Sequence, residues 1–365
     1  MIKVLFIVSS LEYSGPATQL LLLATALPRT RFDVRVCTLG TGGLRAKALE
    51  TAGITLQELG WRRRLDVRPV WNFRRSIVNH SPDIVHAWDV QTLWMLRFAG
   101  AGKFRLVATT AGPGSNQPGI QAWLMGRLLR VADAVVAQGH NEIAGYRRYG
   151  LAAEKINFIP RAVDAALVQE PAEATLRHSL RLGDKDRLIV CVGPLLAEKG
   201  YYDAIWAFDI LNYLYDNLHL VLIGCGPYRE RLEAFVRAIQ CAARVHLVGP
   251  QPEVLSLLAQ ADVVWVPGRR HGGVNAALEA MAAGRPLVAA RLPTVAELVI
   301  DGATGFLVPP GDKGALARQT RLLLDDGQLA QKLAEAGRRH VIKEFNVSTM
   351  AQGHARLYER LVGEA

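Results

Sequence analysis

The sequence predicts an α/β protein made of two doubly wound domains, each with a parallel sheet covered by helices on both faces. Short, continuous apolar runs alternate with amphipathic runs along the chain, a pattern typical of βα units with buried strands. The alternation stops once, in a polar stretch from Asp164 to about Asp186, and then resumes. The length of 365 residues also favours two domains, because a single core rarely grows that large.

The first half of the chain supplies the strands of an N-terminal domain, residues 1–165. Helical runs such as ATQLLLLATALP and GLRAKALETAG lie between these strands. We expect a parallel sheet, because the strand-like runs are apolar throughout and would be buried on both faces. The predicted strands are KVLFIVSS, FDVRVCTLG, PDIVHAW, FRLVATT, ADAVVAQG and INFIP.

The second half repeats the pattern in a C-terminal domain, residues 166–345. A final amphipathic run, STMAQGHARLYERLVGEA, predicts a terminal helix within residues 346–365, which we expect to pack back on the N-terminal domain. Two such domains predict a cleft between them, with ligands beyond the carboxyl ends of the strands and at helix N-termini. The predicted strands are RLIVCVGPLL, HLVLIGCG, RVHLVG, ADVVWVP, PLVAA and GFLVPP.

Composition excludes several classes of protein. Hydrophobic residues make up 50% of the chain and charged residues 21%, which is typical of globular rather than disordered proteins. No apolar run approaches the ~20 residues that a membrane span needs. The apolar start of the chain is interpreted as a first strand rather than a signal peptide, because it reaches Glu12 quickly. The four cysteines, none spaced as C-x-x-C, predict small buried residues of a reduced, cytoplasmic protein.

The chain is strongly basic, with a net charge of +10. No nucleic-acid-binding module is recognisable and the basic residues are not interleaved with aromatic ones, so no nucleic-acid partner is predicted. Two interpretations of one arginine cluster stay open: solvated loop charge, or contact with an anionic membrane, where each basic residue contributes about 1 kcal/mol. The cluster consists of Arg62, Arg63, Arg64, Arg68, Arg74 and Arg75.

Three loops after predicted strands could face an anion or a nucleotide. Gly15 stands just before a helix, whose first amides could bind an anion. Lys199 follows a buried strand and precedes a helix, where a lysine can reach a phosphate. Gly224 and Gly226 fit part of the dinucleotide-binding pattern, but Arg229 occupies the third glycine position, which disfavours a dehydrogenase.

The segment PGRRHGGVNAALEAMAAGRP, residues 267–286, combines glycines and cations at the mouth of a helix. Gly272 and Gly273 allow a ligand to approach the backbone closely. The helix that begins at about Val274 offers free amides and the positive end of its dipole to an anion. Arg269, Arg270 and His271 add positive charge.

The same helix carries two polar side chains that suit hydroxyl groups. Asn275 can donate and accept hydrogen bonds, and Glu279, beyond the first turn, can accept them. The rest of the helix is apolar. Together with the cationic mouth, these residues predict a phosphorylated, hydroxyl-rich ligand: a nucleotide-sugar.

On these motifs the chain resembles glycosyltransferase family 4, whose members are retaining enzymes of the GT-B fold. The resemblance covers nearly the whole chain and is most specific in LEAMAAGRP and DGATGFLVPPGD. It implies two Rossmann-like doubly wound domains facing a central cleft, with the donor's nucleoside diphosphate on the C-terminal domain. Further matching segments are PDIVHAW, INFIPRAVD, VGPLLAEKG, LIGCGPYRERLE and VHLVGPQPEV.

The resemblance also implies residue roles. Glu279 matches the second glutamate of the family's pair, which holds the ribose hydroxyls, and Lys199 matches the lysine on the donor diphosphate. His271 falls on the first glutamate, which contacts the transferred sugar, so His271 and Glu279 are expected at the reacting centre. The family needs neither a metal ion nor a cofactor beyond its nucleotide-sugar substrate, and no Asp-x-Asp metal site stands out.

Three polar positions that face the sugar or the phosphate depart from the family pattern, and the family's usual asparagine–glycine pair falls on Arg161 and Ala162. His271 replaces an acid, Pro194 stands where a diphosphate-binding arginine is usual, and Ala111 stands where an active-site histidine is usual. Arg269, Arg270 or Arg161 could restore the missing cation.

The sequence therefore predicts a metal-independent, retaining, hexosyltransferase-like enzyme of polysaccharide biosynthesis. It would move a sugar from a nucleotide-sugar to a hydroxyl of a cell-envelope glycan or lipid, in the cytoplasm at the inner face of the membrane. An alternative stays open because of Ala111, Pro194 and His271: a non-catalytic relative that binds a nucleotide-sugar or glycan.

Overall fold

The computed structural model describes residues 1–364, apart from positions 13, 41, 44, 62–67, 100–102, 111–118, 168–175, 252 and 271. At residues 68–69, 97–99 and 119–122 the backbone alone is described. The chain divides into two compact units. The N-terminal unit comprises Met1–Ala162 together with Val347–Ala365, and the C-terminal unit comprises Val163–Asn346.

The N-terminal unit is built on a sheet of seven parallel strands in the order β3-β2-β1-β4-β5-β6-β7. The strands are β1 (Ile2–Val8), β2 (Phe32–Thr38), β3 (Thr55–Glu58), β4 (Ile84–Ala87), β5 (Arg105–Thr109), β6 (Ala134–Ala137) and β7 (Ile156–Phe158). The helices are α1 (Gly15–Ala26), α2 (Ala46–Thr51), α3 (Arg68–His80), α4 (Val90–Ala99), α5 (Gly119–Leu129), α6 (His140–Arg148) and, from the end of the chain, α15 (Val347–Gly363).

Strand β1 shows why this sheet is covered on both faces. Its alternate side chains point to opposite sides, so Val4 and Phe6 join one hydrophobic core, while Leu5 and Ile7 join the other. The first core contains residues of α1 and α15. Helix α15 is thus an integral part of the N-terminal unit, although it comes last in the chain.

The C-terminal unit has a sheet of six parallel strands in the order β10-β9-β8-β11-β12-β13. The strands are β8 (Arg187–Val192), β9 (Leu218–Ile223), β10 (Val245–Gly249), β11 (Val263–Val266), β12 (Leu287–Ala290) and β13 (Phe306–Val308). The helices are α7 (Leu176–Ser179), α8 (Tyr201–Asn212), α9 (Arg229–Ala238), α10 (Val254–Leu258), α11 (Val274–Ala282), α12 (Pro293–Ala296), α13 (Lys313–Asp325) and α14 (Gly327–Glu344).

This strand order confirms the predicted doubly wound α/β fold. The chain runs outward from β8 through β9 to β10, then returns to the other side of β8 and continues through β11, β12 and β13. The direction of winding therefore reverses between β8 and β11, and a crevice opens at their carboxyl ends. Loops from both strands meet at this point.

Strand β3 was not predicted from the sequence, and helix α3 follows it in the chain. Strand β3 is a short edge strand with exposed or half-buried side chains, so it lacks the continuous apolar run used to recognise the other strands. Helix α3 buries Phe73 and Ile77 and exposes Arg74 and Arg75.

The prediction of four buried cysteines was wrong at one position. Cys37, Cys191 and Cys241 are buried, but Cys225 is exposed, because it lies in the loop that follows β9 at the carboxyl end of the sheet. Burial raises the pKa of the Cys37 thiol to about 12, as expected for an inert core residue. Within the described part of the chain, no helix is long and apolar enough to cross a membrane.

Candidate functional site

The winding reversal in the C-terminal unit brings two loops together. Strands β8 and β11 are parallel neighbours, with Ile189 opposite Val263 and Cys191 opposite Trp265. The loop after β8 includes the short 3₁₀ turn Ala197–Lys199, and the loop after β11 leads into α11. A backbone hydrogen bond of 2.8 Å from the Arg269 amide to the Glu198 carbonyl joins the two loops.

Gly200 allows this close approach of the loops. It adopts a left-handed conformation, with φ 74°, between the 3₁₀ turn and α8. A Cβ at this position would collide with the carbonyl group of Pro267. The glycine after Lys199 is therefore required both for its backbone angle and for the space between the loops.

The Lys199 side chain crosses from the first loop to the second. Its ammonium lies directly against the α-carbon of Gly272. Burial lowers the pKa of Lys199, and the carboxylate of Glu198 partly opposes this effect. Lys199 forms no salt bridge with any residue that the structure describes, so a bound anion would favour its charged form.

Helix α11 begins beside this ammonium. Gly272 and Gly273 both have positive φ, 88° and 87°, which lets the chain turn sharply from β11 into the helix. The N-cap residue of α11, Gly273, has no side chain with which to cap the helix. The helix therefore directs its first amides and the positive end of its dipole to the place where Lys199 ends.

Two polar residues lie on one face of α11, four positions apart. Asn275 is half-buried in the first turn, close to Val274 at the start of the helix. Glu279, one turn further on, is 7% exposed and is the one carboxylate among the buried residues of this helix. A ligand with its phosphate at the Lys199 ammonium would place hydroxyl groups further along α11, within the region of Asn275 and the Glu279 carboxylate, as predicted from the sequence.

The two predicted arginines differ in their surroundings. Arg269 donates two hydrogen bonds to the buried carboxylate of Asp203, of 2.5 and 2.7 Å. This pairing raises the pKa of Arg269 and neutralises its charge locally. Arg270 is exposed. Asp203 was not predicted as a site residue. Its position on the otherwise apolar face of the helical run YYDAIWAF is the feature of the sequence that could have indicated it.

The remaining predicted residues belong to the N-terminal unit or lie outside the described residues. Gly15 lies in the N-terminal unit, in the first turn of α1, next to the N-cap Ser14. Arg161 also lies in the N-terminal unit, where it pairs with the buried Glu142 at 2.9 Å and is not free to replace a diphosphate cation. His271 and Ala111 lie outside the described residues.

Pro194 follows Gly193 at the end of β8 and supplies no charge to the crevice. Lys199 is a described cation whose ammonium ends at the N-terminus of α11. Among the described residues, no cluster of His, Cys, Asp and Glu side chains could hold a metal ion.

Comparison with family models gives a match in each half of the chain. Residues 13–167 match the model described as glycosyltransferase family 4. Residues 173–340 match the model described as glycosyl transferases group 1. The junction between the two matches coincides with the polar stretch that separates the predicted domains.

Individual proteins are similar over most of their length. The chain is 29% identical over 332 residues to a glycogen synthase of Mycobacterium tuberculosis, covering 89% of this chain and 76% of that protein. It is 28% identical to a GDP-mannose-dependent alpha-(1-6)-phosphatidylinositol monomannoside mannosyltransferase of Mycolicibacterium smegmatis. This match covers 79% of this chain and 80% of that protein.

Solved structures share the fold. The crystal structure of Anabaena HepE in complex with UDP and glucose superimposes with a TM-score of 0.85 at 21% identity, over 98% of this chain and all of that one. A sucrose-phosphate synthase from Thermosynechococcus elongatus superimposes with a TM-score of 0.82 at 21% identity, over the full length of both chains.

Proposed function

The chain belongs to glycosyltransferase family 4, the group 1 glycosyl transferases, and we propose that it is a metal-independent, retaining enzyme of this family that uses a nucleotide-sugar donor. Its GT-B fold and its relatives make it a glycosyltransferase. The observation that carries the finer proposal is the placement of Lys199 against Gly272, at the N-terminus of the helix that buries Glu279.

In this proposal the donor diphosphate lies between Lys199 and the first amides of α11. As the bond between the sugar and the diphosphate breaks, negative charge grows on the leaving oxygens, and the ammonium and the helix dipole stabilise it. Because these groups are fixed before the reaction, their charge stabilisation requires little reorganisation. The same groups supply the positive charge that a metal ion provides in other transferases.

Glu279 would accept hydrogen bonds from the ribose hydroxyls, while Asn275 would contact the donor on the same helix face. The acceptor hydroxyl would attack the anomeric carbon on the face that the diphosphate leaves and pass its proton to the departing phosphate oxygen, and the new bond would keep the configuration of the donor. Names of similar proteins support this donor class, since HepE was crystallised with UDP and glucose and the mannosyltransferase uses GDP-mannose.

The acceptor would be a hydroxyl of a cell-envelope glycan or lipid, reached at the inner face of the membrane. Helix α3 supports the membrane contact. Trp71 and Val78 are 71% and 66% exposed on the same helix face as the exposed Arg74 and Arg75. Exposed aromatic and basic side chains on one face suit an anionic lipid surface. Three arginines of the predicted cluster, Arg62–Arg64, lie outside the described residues.

A cytoplasmic location is part of the proposal. The buried thiols of Cys37, Cys191 and Cys241 are unpaired, as is usual in a reducing compartment.

The experiment is a transfer assay with UDP-glucose and GDP-mannose, each with and without a cell-envelope lipid extract. Release of nucleoside diphosphate reports turnover, and proton NMR of the product reports its anomeric configuration. We expect a product with the donor's configuration and unchanged turnover in the presence of EDTA. A product of inverted configuration, or loss of activity with EDTA, would contradict the proposed mechanism. Tight donor binding without turnover across both donors and the lipid extract would favour the non-catalytic alternative.

A further inference from the structure

A pocket of about 330 Å³ opens beside α8 in the C-terminal unit. It is separate from the groups assigned to the donor. Ala197 and Gly200 form part of its wall, but Lys199, which precedes Gly200 in the chain, turns away and ends against Gly272. We call it the aromatic pocket; the side chains used below are Tyr202, Asp203, Trp206, Tyr228, Arg269 and Lys313.

Trp206 leaves part of its ring surface open at the pocket. Trp206 is 42% exposed, although the opposite face of α8 is buried and includes Ala204, Ile205 and Phe208. Tyr202 and Tyr228 meet edge to face with their ring centroids 6.3 Å apart. Trp206 packs against the Phe235 ring, with the centroids 5.7 Å apart, and still exposes part of its indole, which a ligand could cover.

One polar group of the pocket is held in place by an ion pair, and three others are available to bind a ligand. Asp203 is buried, and its two hydrogen bonds hold the Arg269 guanidinium in place at the wall. The hydroxyls of Tyr202 and Tyr228 and the indole N–H of Trp206 form no hydrogen bond with any residue that the structure describes. These three groups can therefore donate to a ligand without first breaking a bond within the protein.

The charge of the pocket is positive. Arg269 and Asp203 neutralise each other, while the Lys313 ammonium lies 5.6 Å from the Trp206 ring centroid and makes no salt bridge within the described residues. A neutral or acidic ligand is thus accepted, and a cationic one is disfavoured.

We propose that the aromatic pocket binds one pyranose ring of a glycan chain, as a site separate from that of the donor. A sugar ring presents C–H groups that cover an aromatic face and hydroxyls that bind fixed polar groups, and the pocket offers both surfaces. Its volume is near the lower limit for small-molecule sites, which suits one ring rather than several. Because the pocket shares the turn Ala197–Lys199 with the donor lysine, it would hold a glycan close to the donor site.

The test is calorimetric titration of the full chain, without donor, using maltohexaose, cellohexaose and an α-1,6-linked mannohexaose. At least one of these neutral hexasaccharides should bind. Trp206→Ala should then weaken the binding at least tenfold. Trp94→Ala is the matched control, because Trp94 is also 42% exposed but lies in the N-terminal unit, and it should change the affinity less than twofold.

Tyr228→Phe provides a milder variant that keeps the ring and removes one hydroxyl, and it should weaken binding two- to fivefold. A hexamer of glucosamine, which is cationic, should bind at least fivefold more weakly than the best neutral probe. Saturating UDP should leave the hexasaccharide affinity unchanged. The UDP competition tests the pocket independently of the proposed donor site. Lys199→Ala does the same, because it should reduce UDP binding and leave glycan binding unchanged.

Three outcomes would overturn the assignment. Failure of all three neutral hexasaccharides to bind would exclude a glycan site of this kind. Equal affinity in the parent and in Trp206→Ala would place the glycan elsewhere. Displacement of the hexasaccharide by UDP would show that it occupies the donor site.

Discussion

The ammonium of Lys199 lies directly against the α-carbon of Gly272, so that any side chain at position 272 would collide with it. The two residues belong to loops that follow the neighbouring strands β8 and β11. Gly272 also has a positive φ of 88°, which a larger residue rarely adopts. Glycine thus suits the backbone angle at this position and leaves the space that the ammonium occupies, whereas a larger residue would displace the flexible end of Lys199.

The first prediction separates these two requirements. Gly272→Ala should displace the Lys199 ammonium and weaken the binding of UDP or GDP at least tenfold in calorimetry. Gly311→Ala is the control, because Gly311 has a similar φ of 81° and no atom lies within 4 Å of the point where its added methyl group would stand. Both variants should lose about 1 kcal/mol of stability from backbone strain. If Gly311→Ala weakens nucleotide binding as much, strain alone explains the effect.

The second prediction concerns the charge of Lys199. Lys199→Ala should weaken the binding of a nucleoside diphosphate by about 1.5–3 kcal/mol, the range for a hydrogen bond to a charged group, and leave the matching nucleoside almost unaffected. Calorimetry at low salt is suitable, because salt screens such contacts. Lys332→Ala, an exposed lysine on α14, is the control for a general change of charge. Equal losses for diphosphate and nucleoside would remove Lys199 from the phosphate site.

The third prediction concerns Glu279. Glu279→Gln should keep the fold and weaken UDP or GDP binding by about 1.5–3 kcal/mol, because a carboxylate that accepts hydrogen bonds from two hydroxyls is replaced by an amide. A 2′-deoxy nucleotide is the internal control. The parent should prefer the ribose form, and the variant should lose most of that preference. An unchanged preference would mean that Glu279 does not contact the ribose.

The fourth prediction concerns pH and the buried histidines of the N-terminal unit. Burial lowers the pKa of His354 from 6.5 to about 4, and it lowers that of His86 as well, with the neighbouring His354 adding to the effect. The Nδ1 atom of His86 shares a 2.6 Å hydrogen bond with the Tyr358 hydroxyl, which joins β4 to α15.

Between pH 6.5 and 4 the unfolded chain binds a proton at His354 that the folded chain excludes, so stability falls as the pH falls through this range. One pKa unit corresponds to about 1.4 kcal/mol, so His354 alone should remove about 3 kcal/mol of stability by pH 4. Urea unfolding of the parent and of His354→Phe at pH 7.5, 6 and 5 measures how the free energy of unfolding changes with pH. The variant should lose less stability with acid; parallel curves would show that His354 does not titrate on unfolding.

The fifth prediction tests the membrane surface of α3. The double variant Arg74→Ala, Arg75→Ala should bind vesicles containing 30% phosphatidylglycerol at least fivefold more weakly than the parent, since each basic residue near the lipid contributes about 1 kcal/mol. Arg338→Ala, Arg339→Ala on α14 lowers the net charge equally and should bind like the parent. If both double variants lose the same affinity, net charge is responsible and α3 has no special role. Binding of the parent to neutral vesicles with equal affinity would also contradict the prediction.

The local pattern of apolar and polar residues was enough to predict most strands and the fold class of this protein. Continuous apolar runs separated by amphipathic ones predicted the βα units, the parallel sheets and the terminal helix. Such runs are readable in the sequence because burial on both faces of a sheet imposes them on neighbouring residues. The glycines and cations before α11, and Lys199 before α8, were likewise visible as residues that follow predicted strands. The family and its fold, first inferred as a resemblance, are confirmed by the family models and the solved structures.

Tertiary structure decided which of those residues meet. Strands β9 and β10 separate β8 from β11 in the sequence, yet the reversal of winding makes β8 and β11 neighbours and brings Lys199 to Gly272. The same reversal directs Arg269 to Asp203, and packing within the N-terminal unit directs Arg161 to Glu142, although both arginines had been considered as phosphate ligands. Periodicity reports the burial of a segment, but the partner of a side chain depends on strand order and on loops far apart in the chain. The sequence therefore determined the elements and the types of residue at the site, while the packing of the sheet determined which charges remain available for a ligand.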